Sequence, residues 1–203
     1  MSDMNHPQTT ATSTQPEGIL RLETARLVLR DWTPPDIPDL IEGLNDLSVS
    51  RWLAFVPHPY TREAAESWLT YCSHLCEKGG DRDNYEFAIE LKSEHKVIGG
   101  VSLTRVSRLH GTAGGGIWLN ARYQGHGYGR EAFGEKIRFA FVDLQLRRLD
   151  NGFFKGNDAS FALQQHFGYQ VEGERRQAYR CMADGTLKDE CITGLLKEEW
   201  KTG

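Results

Sequence analysis

The chain has 203 residues, 39% of them hydrophobic, and a formal net charge of -4. That is enough apolar material for the core of one generous domain, and it lacks the strongly basic footprint of a nucleic-acid-binding surface. No apolar run approaches the roughly 20 residues that a bilayer-crossing helix needs, so neither a nucleic-acid nor a membrane partner is expected.

Residues 1–18, MSDMNHPQTTATSTQPEG, are rich in Thr, Ser, Gln and Pro and contain no hydrophobic segment. This reads as a disordered tail, neither signal peptide nor helix, followed by a single domain over 19–203. ILRLETARLVLRDW alternates as a strand does, with a break near Thr24. Thr33 then caps a helix with prolines in its first turn and a stripe of Ile37, Leu40, Ile41 and Leu44. A loop carrying Trp52, Phe55 and Tyr60 leads to a second helix from Thr61 to Glu77, with Cys72 and Cys76 on its apolar face. Neither these cysteines nor Cys181 and Cys191 have zinc-ligand or disulfide-framework spacing, so no metal is expected and the thiols suit a reducing cytoplasm.

The period then changes to two. Tyr85, Phe87, Ile89 and Leu91 alternate with Glu86, Ala88 and Glu90, KSEHK turns the chain, and VIGGVSLTRV returns. GTAGGGIWLN, residues 111–120, reads as a third strand. YQGHGYGREA follows, a glycine-rich loop feeding a helix whose buried stripe is Phe133, Ile137, Ala140, Phe141 and Leu144. RRLDNGFF is another strand, NDASFALQQHFG a short helix ending at Gly168, and YQVEGERR and DECITGLLKEEW are the closing strands. Helices interleaved with a mixed sheet make an α/β protein, with ligand expected where a central strand hands over to a helix.

Gly125, Gly127 and Gly129 let the backbone turn tightly against a ligand, and the helix that follows points unpaired N–H groups and its positive end at the same place. That is a phosphate site or a plain glycine-rich turn. The P-loop pattern is absent, and GxGxxG fails because Arg130 stands where its third glycine would be, which excludes a nucleotide-dependent oxidoreductase.

Gln124-Gly125-His126-Gly127-Tyr128-Gly129 resembles the [QR]-x-x-G-x-[GA] signature of the GNAT superfamily of N-acetyltransferases. LETARLVLRDWTPPD, Asn157-x-x-Ser160 with Phe167-Gly168-Tyr169, Glu172-Gly173-x-x-Arg176, Asp184-Gly185, Asp189 and Glu199-Trp200 are similar, in order and spacing, to its RimJ/RimL-type branch. The resemblance implies a mixed central sheet of about six to seven strands splayed at an acetyl-CoA site and flanked by about four helices. It implies that Ile117, Trp118 and Leu119 pair with the pantetheine arm, one N–H facing the thioester oxygen, across a gap between strands 115–119 and 148–154. Gln124 to Gly129 would then hold the pyrophosphate, with Arg130 near it, and Asn157 and Ser160 would meet the arm from the other side.

The same resemblance implies acetyl transfer from acetyl-CoA to a primary amine: the α-amine of a protein N-terminus, as in ribosomal-protein acetyltransferases, or a small amine. A monomer or a homodimer fits equally. Two expected residues are missing. The usual Tyr position is Gln164 and the usual Glu position is Gly114. Ser160 stands in as proton donor, or only caps its helix. Glu86 is the candidate base, with Glu90 and His110 as further candidates for a base or an amine-binding group. Trp52, Phe55 and Tyr179, with Tyr60 and Arg176, are candidates for the acceptor pocket. The competing reading is a member that keeps the coenzyme grip and has lost catalysis.

Overall fold

The computed structural model describes residues 20–201. The expected disordered tail, 1–18, lies outside the described residues. Among the described residues, the strands form a nine-stranded sheet with helices on both faces, which agrees with the expected α/β architecture and exceeds the expected strand number.

Among the described residues the first strands are β1 (Arg21–Glu23) and β2 (Leu27–Asp31), an antiparallel pair in which Leu22, Leu27 and Leu29 enter the core. Asp36 closes the following turn as a cap: its carboxylate accepts from the Thr33 N–H (2.8 Å) and hydroxyl (3.0 Å) before α1 (Ile37–Leu44) starts. The Trp52 loop contains a short helix that the sequence reading does not anticipate, α2 (Leu47–Ser50), capped by Asp46. Next comes α3 (Arg62–Glu77), within one residue of the expected span, with the Thr61 hydroxyl accepting from the Ala64 N–H as its cap.

The strands β3 (Tyr85–Leu91) and β4 (Lys96–Ser107) pair antiparallel in the centre of the sheet. Because strand side chains alternate, Tyr85, Phe87, Ile89 and Leu91 enter one core with Phe133 and Ile137, while Ala88 enters a second core with residues of α1 and α3. Glu86 shares that second face.

The segment expected as one strand over 111–120 is two: β5 (Thr112–Gly114) and β6 (Ile117–Leu119). Gly115, at φ 127, breaks it, and a Cβ there would lie 2.0 Å from the Ser102 carbonyl oxygen, so the crossing requires glycine. Following them are α4 (Tyr128–Arg138), β7 (Arg148–Phe154), α5 (Asp158–His166), β8 (Gln170–Arg180) and β9 (Leu187–Leu196).

The register of these strands opens the sheet. β5 pairs parallel with β7 at Thr112↔Arg148 and Ala113↔Leu149. Beyond that point β6 pairs with β4, and β7 pairs with β9. The facing edges of β6 and of residues 150–154 have no strand partner in one another, which is the expected V.

Candidate active site

The glycine loop sits at the end of β6. Gly125 (φ 79) and Gly127 (φ 82) are left-handed, a conformation that costs an L-residue roughly 1–2 kcal/mol. Gly127 is the N-cap of α4 and offers no side-chain cap, so the first N–H groups of that helix stay open to an anion. Gln124 braces the loop by donating from Nε2 to the Leu119 carbonyl at 3.0 Å. Gly129 lets α4 approach β6: a Cβ there would be 3.3 Å from Leu119 Cδ1. The His126 and Tyr128 rings stack 5.9 Å apart, and Arg130 is exposed.

Arg26, which the sequence reading passes over, holds this loop from outside. Its Nη1 donates to the His126 carbonyl at 3.0 Å, its guanidinium lies 4.5 Å from the Tyr128 ring centre, and its Nε pairs with Glu131 at 2.7 Å. Nothing local in ARLVLR distinguishes this arginine; only the fold brings it 100 residues along the chain to His126.

A cavity of about 1130 Å³ runs from the V to the face of the sheet under α1 and α3. Ile117 and Trp118 line it, with residues 150–154 opposite. The Trp118 indole fits because two neighbours are glycines: a Cβ on Gly43 would come within 2.6 Å of its ring and one on Gly100 within 2.7 Å of Nε1. Gly116 faces open space. Trp52, Phe55, Tyr60 and Tyr179 all line the cavity. Phe55, 76% exposed, meets Tyr179 edge to face at 5.7 Å and forms the rim.

Glu86 also lines the cavity. It stands opposite Ser102, and Ser102 stands opposite Gly116 through two hydrogen bonds, Ser102 N–H to Gly116 O at 2.9 Å and Gly116 N–H to Ser102 Oγ at 3.2 Å. Two strand spacings separate Glu86 from the opening of the V, about 10 Å between Cα atoms. The Glu86 carboxyl has no hydrogen-bond or ion-pair partner among the described residues, and burial pushes its pKa up to about 8.

Two other base candidates do not reach the cavity. Glu90 is drawn off to Arg30 at 2.6 Å, inside a cluster with Asp36. His110 is exposed beyond the end of β4, its carbonyl accepting from Arg147 at 2.8 Å. Arg176, on the exposed edge strand β8, is also absent from the lining. At Gly114 the space of the missing side chain belongs to Arg105, whose Nη2 lies 2.9 Å from where a Cβ would be.

Asn157 caps α5, its Oδ1 accepting the Ser160 N–H at 3.2 Å. Ser160 Oγ accepts from Gln164 Nε2 at 3.0 Å, and Gln164 Oε1 accepts from the buried Thr193 hydroxyl at 2.5 Å. The direction of this chain matters. Thr193 is 1% exposed and needs an acceptor, so it turns the Gln164 amide NH₂ toward Ser160 and leaves the Ser160 proton free to be donated outward. Asn157 and Ser160 are not part of the cavity lining.

A model of the acetyltransferase (GNAT) domain matches residues 26–170. The chain belongs to the GNAT family of acetyltransferases. The uncharacterized N-acetyltransferase YoaA of Bacillus subtilis (strain 168) is 26% identical over 176 residues, 87% of this chain and 96% of YoaA. Two solved structures share the fold. The ribosomal-protein-S5-alanine acetyltransferase of Vibrio fischeri has TM-score 0.71 and 23% identity, covering 90% of this chain and 99% of that one. The spermidine N-acetyltransferase of Vibrio cholerae, solved with CoA and spermine, has TM-score 0.72 and 19% identity, covering 87% and 98%.

This GNAT member is therefore an acetyl-CoA-dependent N-acetyltransferase. Its residues fit the co-substrate: an unpaired strand edge for the amides of the arm, and an uncapped helix start behind left-handed glycines for the pyrophosphate. Among the described residues no group of three or more metal-ligating side chains converges, the four cysteines form no disulfide, and no helix is long and apolar enough to cross a membrane.

Proposed function

We propose that this chain moves the acetyl group of acetyl-CoA directly to an α-amine, on a protein N-terminus or a small molecule, and that it acts in the cytoplasm as one acetyltransferase domain. The observation that carries this reading is the continuous cavity that joins the V to an unpartnered carboxyl, Glu86.

In this reading the backbone N–H groups of β6 that face the V bind the arm, and one stabilises negative charge on the thioester oxygen. Glu86 takes the proton of the incoming amine, through water across the cavity. An α-amine with a reference pKa of roughly 7.7–8.0 suits a base whose own pKa lies near 8, since the two differ little in proton affinity. Ser160, its hydroxyl oriented by Gln164, donates a hydrogen bond to the departing sulfur. Trp52, Phe55 and Tyr179 hold the acceptor's body. Gln124 to Gly129 grip the pyrophosphate, Arg130 adds charge beside it, and Arg26 keeps the loop in shape.

The test is thiol release from acetyl-CoA with wild type and Glu86→Gln against a panel of α-amines. Turnover that falls about 100-fold in the variant fits a general base. Coenzyme binding without thiol release from any amine would instead favour the reading as a coenzyme-binding member, which the absent Tyr and Glu at 164 and 114 keep open.

A further inference from the structure

We propose that Arg105 is the anion-recognising residue of the acceptor site, and that the acceptor therefore carries a carboxylate beside its amine on an apolar body, as a free amino acid does. This rests on the acetyltransferase reading above and narrows its substrate.

The first observation is a β-bulge. On β4, Val101 and Leu103 enter the core shared with α4, and alternation would send residue 105 after them. Val106 enters that core instead. The extra residue is Arg105, at φ 53, where the pairing with β5 shifts register between Thr104 and Ser107. A left-handed arginine is unfavourable, and bulges of this kind re-aim a side chain beside a site. Here the bulge turns the arginine away from the core and onto the cavity, whose wall it joins.

The second observation is where the guanidinium goes and what it lacks. It lies over Gly114, 2.9 Å from the position a Cβ would take and beside Thr104 Oγ1. Arg105 has no ion pair among the described residues. Two carboxylates of the same wall are otherwise engaged: Asp150 with Arg148 at 2.7 Å and Glu190 with Arg175. Arg105 thus presents an open fork of N–H donors, the geometry that binds a carboxylate bidentately.

The third observation is the distance to the chemistry. Gly114 precedes Gly116 by two residues, about 7 Å along a strand. Gly116 stands at the opening of the V, so the group bound by Arg105 and the amine being acetylated lie within the span of one small molecule. The remaining wall, under α1 and α3, is aromatic and aliphatic, with Trp32, Leu40, Tyr60 and Trp68 among its residues. The cavity carboxyls are Glu86, Asp150 and Glu190; Asp150 is paired with Arg148 and Glu190 with Arg175, which leaves Glu86 as the one unpaired carboxyl among the described lining residues, too few for a polyamine, whose several ammonium groups each need a counter-charge.

The test compares matched acceptors with wild type, R105Q and R105K by thiol release: L-phenylalanine and L-methionine, their carboxamides, phenethylamine, spermidine, and peptides with N-terminal Ser or Ala. The expected result is a kcat/KM for the free acids at least tenfold above that for the amides. That ratio should collapse toward one in R105Q, mainly through KM, with R105K between, because a lysine keeps the charge and loses the fork. Melting temperature and acetyl-CoA affinity report whether R105Q is folded. Amides used as well as acids, or R105Q lowering both alike, would overturn the proposal. Turnover confined to peptides would overturn it while leaving the α-amine reading intact, and turnover confined to spermidine would overturn it together with the choice of an α-amine. Silence with every acceptor would overturn both.

Discussion

The two ends of the cavity are built from different material. At the coenzyme end the walls are backbone: the free edge of β6, the left-handed turns at Gly125 and Gly127, and the uncapped start of α4. At the acceptor end the walls are side chains: Trp52 and Tyr179 at the rim, Glu86 within, and Arg105 turned in by a bulge. Backbone recognition tolerates almost any side chain on the same scaffold, so it suits a co-substrate common to a family. Side-chain recognition changes with each substitution, so it suits the part of the reaction in which members differ.

If this division holds, substitutions at the two ends should separate binding of acetyl-CoA from use of the amine. The largest effect is expected at the loop. Gly127→Val places a branched residue at φ 82 and crowds Arg26, whose Nη2 would lie 3.3 Å from the new Cβ. Acetyl-CoA affinity should fall by about 100-fold or more, read by calorimetry, while the fold persists because the strain is roughly 1–2 kcal/mol. Normal affinity in a folded variant would break the account of the coenzyme end.

Next is Glu86→Gln, which should leave acetyl-CoA affinity near wild type and lower kcat/KM by about 100-fold. Because the Glu86 pKa is raised to about 8, its basic form fills in as pH rises through that value, so wild-type kcat/KM should climb between about pH 7 and 9. The same shift has a stability sign. The folded state holds its proton to higher pH than the unfolded state, so stability is lost as pH rises from about 4.5 through 8. Glu86→Gln should remove that loss, giving a melting temperature above wild type at pH 9.

A smaller effect is expected at Ser160 and the buried hydrogen bonds behind it, which lie outside the cavity lining. Ser160→Ala should slow turnover by about tenfold if its proton reaches the sulfur, a modest amount because a thiol with reference pKa near 8.5 leaves without much help. Thr193→Val takes the donor from Gln164 Oε1 and frees the amide to turn. Its effect on kcat should be in the same direction and smaller, with about 1–3 kcal/mol of stability lost to the unsatisfied buried group. Unchanged turnover in both would leave Ser160 to its place under the Asn157 cap.

The smallest effect on activity is expected at Lys136, on the core side of α4. It is 1% exposed, its nitrogen lies 3.8 Å from the Phe133 ring centre, and burial pushes its pKa down to about 7. The unfolded chain binds this proton more tightly, so stability should rise with pH from about 7 to 10.5. Lys136→Met should raise the melting temperature at pH 7 by roughly 5 °C and lose that gain near pH 11. Equal gains at both pH values would show that packing, not charge, sets the difference.

The same division explains what could be read from the sequence. The glycine loop, the helix that follows Thr61, the alternation of β3 and the Phe133 and Ile137 part of the α4 stripe are local patterns, and each stands close to where its residues predict. The V was legible through resemblance, yet the break between β5 and β6 was not, because Gly114, Gly115 and Gly116 carry no pattern that tells a strand from its interruption. At the acceptor end, Glu86 and Glu90 look alike in an alternating strand; Arg30 removes one of them from the site by a contact 60 residues away in the chain. Arg105 and Lys136 look like ordinary strand and helix charges. Their placement depends on a bulge and on packing against Phe133, neither of which leaves a periodic trace.

The most direct measurement is the pH profile of thiol release from acetyl-CoA with an α-amine acceptor, wild type beside Glu86→Gln, with coenzyme affinity measured on the same samples. The account predicts wild-type turnover rising through about pH 8, a profile about 100-fold lower in the variant that follows only the titration of the amine itself, and equal coenzyme affinities. Equal affinities with no release from either protein, or identical profiles from both, would contradict it.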